Sequence, residues 1–244
     1  MTYIDNPAQT LHNFLSEIKE SSRTNNTSLK RAIALQFNLD EKNVHLIWET
    51  VSKLMTLPQK VENIITDYFL DLNIQAPTWM KNVTEIFEKT SLNASVGEFI
   101  SPLQSQTLIE LGLISNIFKM KGQIGEIPSS DLDDLRDDFY EIKESIINSD
   151  FSPKLKSEIM HYINTIIRAL DDYKITGIEP VISSVEATMG HTVISEEFQR
   201  VVTDTNIGQK IKSTLLKSLS VISAVDGVTS IASNAMSLLE HFNK

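Results

Sequence analysis

A chain of 244 residues with no cysteine has no disulfide framework, thiolate zinc site, iron–sulfur cluster or cysteine nucleophile open to it. Its 41% hydrophobic and 22% charged residues match a globular protein able to bury a core, and 22 basic against 32 acidic side chains give a formal charge of -10 that repels phosphate backbones. Nucleic acid is therefore not expected as a partner, and the absence of a basic stretch leading into an apolar run after Met1 points to a cytoplasmic location.

Glycine is scarce, at 8 residues, and the prolines fall where helices would begin, which predicts an all-α fold. Asn6 is placed to cap a first helix with Pro7 at its first position, and Ala8, Leu11, Leu15 and Ile18 recur at three and four residues. Leu29, Ala32 and Ile33 mark a short second helix. Asp40 is the expected cap of a third, carrying Val44, Ile47, Trp48, Val51, Leu54 and Met55. A fourth is expected after Pro58, with Val61, Ile64, Ile65, Tyr68, Phe69 and Leu72 as its stripe, and Pro77 separates it from one with Trp79, Val83, Ile86 and Phe87. Ser101 and Pro102 are read as opening the next, which bears Leu108, Leu111, Ile114, Ile117 and Phe118. The two glycines and the proline between Gly122 and Ser129 then mark a linker.

Beyond it the spacing lengthens. Leu132, Leu135, Phe139, Ile142 and Ile146 follow a seven-residue period, as do Leu155, Ile159, Tyr162, Ile166, Leu170 and Tyr173 after Ser152 and Pro153. The short turn between them predicts an antiparallel hairpin over residues 130–173, crossing at about 20°. Ile178, Val181, Ile182 and Val185 predict a further short helix that Gly190 ends in the left-handed conformation. The expected architecture is an irregular bundle of about 9 to 11 amphipathic helices around that hairpin. Its divisions are expected at 1–95, 96–204 and 205–244, the last a low-charge hairpin with Asp226 and Gly227 at its turn.

No phosphate-binding loop, dinucleotide fingerprint, nucleophile elbow or zincin motif occurs, and no arginine is followed at four to six residues by histidine. His12, His45, His161, His191 and His241 are scattered, with no i, i+4 pair among them. His241 is read as a helix-end cation, and His191, taken as a loop residue after Gly190, is the one histidine singled out for testing. Sequons at Asn25, Asn82 and Asn93 are read as chance. No catalytic residue, metal site or cofactor is expected.

Two charged features stand out. Asp134, Asp137, Asp138 and Glu141 stack on one face of the first hairpin helix, suited to a basic protein partner more than to a cation, which wants oxygens converging from several directions. Residues 205–244 carry a charge of +2 against -12 for residues 1–204, with Lys210, Lys212 and Lys217 preceding the stretch Ser218 to Leu239, whose sole charge is Asp226. That flank keeps open a surface for a partner or an anionic membrane. Two functions compete: a non-enzymatic helical protein-interaction module binding another protein or itself, and a conditional membrane-active effector of toxin or phage-defence type acting through 205–244. The Asn, Ile and Lys usage resembles that of AT-rich bacterial or phage genomes.

Overall fold

The computed structural model describes residues 5–24, 27–69, 78–122 and 126–225. Leu72, Pro77, the Asp226–Gly227 turn with the second arm of the C-terminal hairpin, Asn25 and His241 lie outside them. Among the described residues there are twelve helices and no strand: α1 (Pro7–Thr24), α2 (Leu29–Gln36), α3 (Val44–Tyr68), α4 (Thr78–Glu88), α5 (Val96–Phe99), α6 (Ser105–Lys121), α7 (Ser129–Ile147), α8 (Pro153–Asp171), α9 (Tyr173–Thr176), α10 (Glu179–Ile194), α11 (Glu196–Asp204) and α12 (Asn206–Ala224). The all-α expectation holds. The helices form two compact units, one of Asn6–Lys121 and one of Met1–Asp5 with Gly122–Lys244.

The division falls at Gly122, inside the stretch read as a linker, and not at residue 95. A cut at 95 would sever paired backbone, because Val96 N–H donates to the Thr27 carbonyl while Leu29 and Lys30 N–H donate to the Ala94 and Leu92 carbonyls. These bonds satisfy first-turn donors of α2 and of α5 that no helix can satisfy internally.

In the Asn6–Lys121 unit, α1 is the central element, packed by α3 and α6. Asn6 caps it as expected: its Oδ1 accepts from Gln9 N–H (3.1 Å), and its Nδ2 donates to Ser115 near the end of α6. Phe14 anchors an aromatic cluster, with Phe87 stacked at 6.3 Å and Phe99 edge-on at 6.4 Å. Two expected helix boundaries move. α3 is continuous through Pro58, because Ile47, Val51, Leu54, Leu57 and Val61 keep one buried stripe in phase across the proline. That packing outweighs the roughly 3 kcal/mol a mid-helix proline costs. Its cap is Asn43, whose Oδ1 accepts from Leu46 N–H, while Asp40 bonds Lys42 N–H in the preceding turn. α6 opens at Ser105, and Ser101–Pro102 form a turn held by Asn82, whose side chain reaches the Pro102 carbonyl, Gln104 N–H and the Thr107 hydroxyl. Asn82 is buried among these groups, so the sequon it heads has no room for a sugar.

In the second unit, four long helices close a ring: α7 packs on α8 and α12, and α10 packs on the same two. The hairpin α7–α8 appears as its spacing predicts, with Leu132, Leu135, Phe139, Ile142 and Ile146 buried against Ile159, Ile163, Ile166 and Leu170. Each hairpin helix receives a cation at its carbonyl end from the other: Lys156 Nζ donates to Ile147 O (2.8 Å), and Arg136 to Leu170 O (3.3 Å). Gly177 takes φ 79, the left-handed region open to glycine, and the chain then enters α10. The cap of α10 is remote in sequence, since Ile178 and Glu179 N–H donate to the Asp5 carboxylate at 2.8 and 3.4 Å. A β-carbon at Gly177 would overlap that carboxylate.

Candidate interaction surface

α10 does not end at Gly190. It runs on to Ile194, because Thr188, Met189 and Thr192 continue the buried face begun by Val181 and Val185. His191 is therefore a helical residue, aimed at α8, where its Nε2 lies 2.7 Å from Glu158 Oε1. Tyr162 stacks on its ring at 4.4 Å and 22°, and Phe198 meets it edge-on at 6.0 Å. Ser195 bonds the same carboxylate and, as the cap of α11, accepts from Phe198 N–H. Glu158 is held below the usual carboxylate range, first by the Ser195 hydroxyl and then by His191. An ionised carboxylate only accepts, so Nε2 carries the proton and donates.

A nucleophilic relay needs the hydroxyl to donate to the imidazole and the imidazole to the acid. Here the carboxylate stands between serine and histidine, and the hydroxyl's lone pair caps α11. The cluster instead ties α8 to the α10–α11 junction. Sequence reasoning missed Glu158, although Glu158 and His161 stand in a Glu-x-x-His spacing on α8; the histidine that the carboxylate bonds comes from another helix. Among the described residues no three His, Asp or Glu side chains gather as a metal site.

Because its folded pKa is depressed, ionised Glu158 stabilises the fold above its unfolded pKa of about 4.3, and that contribution is lost as pH falls through the folded value. Glu158→Gln is expected to lower stability by about 1 kcal/mol or less at neutral pH, with the difference from wild type vanishing as pH drops from about 5 toward 3. Thermal denaturation of both proteins across that range measures it, and a difference that grows toward acid would contradict the assignment.

The two charged features of the sequence meet each other. Lys217 donates to Asp138 Oδ2 (2.7 Å), which holds its ammonium pKa above the usual value, and Lys210 pairs with Glu141. Asp134 adds to the field on Lys217, while Asp137 is exposed on α7. Lys212 is partly buried on α12. The α7 ridge and the α12 lysines thus complement each other within one chain, which reduces what either presents to a basic partner or an anionic membrane. Asp133, beside the ridge, pairs with Arg136. Among the described residues no helix is long and apolar enough to cross a membrane. Tyr173, at the start of α9, uses its hydroxyl to accept from Ile127 N–H (2.7 Å), and burial raises its phenol pKa.

The exposed apolar side chains of α6 form a different surface. Its inner face buries Thr107, Leu111, Ile114, Ser115 and Phe118. At 100° per residue, Ile109, Leu113 and Met120 fall on the opposite face, and they are 57%, 59% and 84% exposed, with Ile117 half-buried beside them. A surface helix ordinarily turns polar residues outward, whereas α6 carries an apolar stripe on its outer face. The helix stands firmly on its unit: Lys119 Nζ and the Ser115 hydroxyl both donate to Gln9 of α1, and Glu110 accepts from Trp79 N–H at the start of α4. The chain matches no protein-family model, no curated protein and no solved structure.

Proposed function

We propose that this protein is a non-enzymatic, cytoplasmic interaction module that docks a protein partner on the outer face of α6. The observation that carries this reading is the exposure of Ile109, Leu113 and Met120 on one stripe. Covering three such side chains removes apolar area worth about 25 cal/mol per Å2, the usual driving force for association. The internal pairing of Lys210 and Lys217 with Glu141 and Asp138 favours this reading over a membrane-active C-terminal segment.

Affinity capture from native lysate with wild type and Leu113→Lys side by side tests it. A partner recovered by wild type and depleted at least about tenfold by the variant, the equivalent of losing one hot-spot contact, is the expected result. Recovery of identical protein sets would remove α6 as the docking face.

A further inference from the structure

The proposed docking face is self-complementary. Along α6 the outer apolar residues Ile109, Leu113, Ile117 and Met120 are flanked on the same side by Glu110 and Lys121, eleven residues or about three helical turns apart. We infer that the occupant of this face is α6 of a second copy of the chain, running antiparallel about a two-fold axis level with residue 115. The inference rests on the interaction reading above and names its partner.

In an antiparallel pair related by a two-fold axis, the same flank of each helix meets its counterpart, and residues equidistant from the axis level face each other. Leu113 and Ile117 are equidistant from that level and Ile109 and Met120 are so to within one residue, which sets Ile109 across from the partner's Met120 and Leu113 across from the partner's Ile117. The same level also places Glu110 across from the partner's Lys121, and the symmetry makes the pair twice. The apolar and the charged matches thus share one register. In a parallel pair opposite flanks meet, so Glu110 and Lys121 would not face those of the partner and this pairing would be lost; the charges therefore select the antiparallel direction. Glu110 already accepts from Trp79 N–H and from the Gln106 amide, and a carboxylate retains lone pairs for an ammonium besides.

One helix face falls well short of the roughly 800 Å2 per partner of a standard stable interface, so the dimer is weak and exchanges with monomer at micromolar or higher concentration. Sedimentation velocity on the full chain, from about 1 to about 300 µM, spans that regime. The expected result is a concentration-dependent shift from monomer to dimer that Leu113→Glu abolishes and Lys121→Glu weakens roughly tenfold, both substitutions lying at exposed positions. Asn116 lies beside the axis, and in a chain without cysteine Asn116→Cys is expected to form a disulfide-linked dimer under mild oxidation, whereas exposed Glu196→Cys on α11 is not.

A chain that stays monomeric throughout, a dimer that Leu113→Glu leaves intact, or equal cross-linking at both cysteines would overturn the inference. Insensitivity to Lys121→Glu with the other results intact would overturn the antiparallel register. Monomer at every concentration, combined with a lysate partner lost in Leu113→Lys, would retire self-pairing and keep the interaction reading; loss of neither property in that variant would end both.

Discussion

Alanine at Gly208 is expected to destabilise the second unit by about 3 kcal/mol or more, whereas alanine at Gly190 is expected to stabilise it by about 0.5 to 1 kcal/mol. Both glycines lie in helices, so propensity alone gives the two substitutions one sign. Surroundings separate them. A β-carbon at Gly190 meets nothing within 4 Å. One at Gly208 would overlap the Val201 carbonyl and stand 2.5 Å from Val202 Cα, backbone that no rotamer change can move. Val201 O is itself held in place, accepting from Thr205 N–H (3.2 Å) and from the Thr205 hydroxyl (2.8 Å), and that hydroxyl in turn caps α12 by accepting from Gly208 N–H. The alanine must therefore push α12 off α11. Urea denaturation followed by far-UV circular dichroism reads both variants, and a common direction for the pair would show that α11 and α12 are not in backbone contact.

The second large effect is expected in the other unit, where Asn82→Ala lowers stability by about 3 kcal/mol. One buried amide serves three groups: it donates to Pro102 O, and accepts from Gln104 N–H (3.1 Å) and the Thr107 hydroxyl (2.6 Å). Thr107 is fully buried, so truncation leaves a hydroxyl with no water to replace the lost acceptor. Both tryptophans, Trp48 and Trp79, belong to the Asn6–Lys121 unit, so their fluorescence follows this unfolding transition separately from that of α7 to α12. A fluorescence midpoint unchanged by the substitution would mean that the 101–104 turn contributes little to folding.

The sequence made the hairpin legible because Leu132 to Ile146 are apolar on one side only, and a single stripe admits one inward face. The same reasoning misplaced several boundaries, two of them at residues that break helices. Pro58 and Gly190 are breakers by local propensity, yet each lies within a helix whose buried face continues past it, so tertiary packing overrode the local preference. The outer face of α6 was hidden for a related reason. Leu111, Ile114 and Phe118 turn inward as their spacing suggests, but Ile109, Leu113 and Met120 repeat a similar spacing on the opposite side, and contact with α1 and α4 decides which set is buried. The pairing of Lys217 with Asp138 joins residues 79 apart, and that of His191 with Glu158 residues 33 apart. Spacing along one helix carries no information about such partners, which is why two charged surfaces were read where the fold joins them.

The Asp5 cap has a thermodynamic corollary. Asp5 and Gly122 belong to the same unit, so everything between them is an excursion that starts and finishes on one body. While that excursion is folded its ends are already together, with Asn6 bonded to Ser115 and Gln9 to Lys119. Melt it, and holding Asp5 on α10 means closing a loop of over a hundred residues, at an entropic cost of roughly 4 kcal/mol. The cap returns only about 1 to 2 kcal/mol, so it lets go. Solvent exchange at the Ile178 and Glu179 amides thereby reports, from within one body, whether the other is intact.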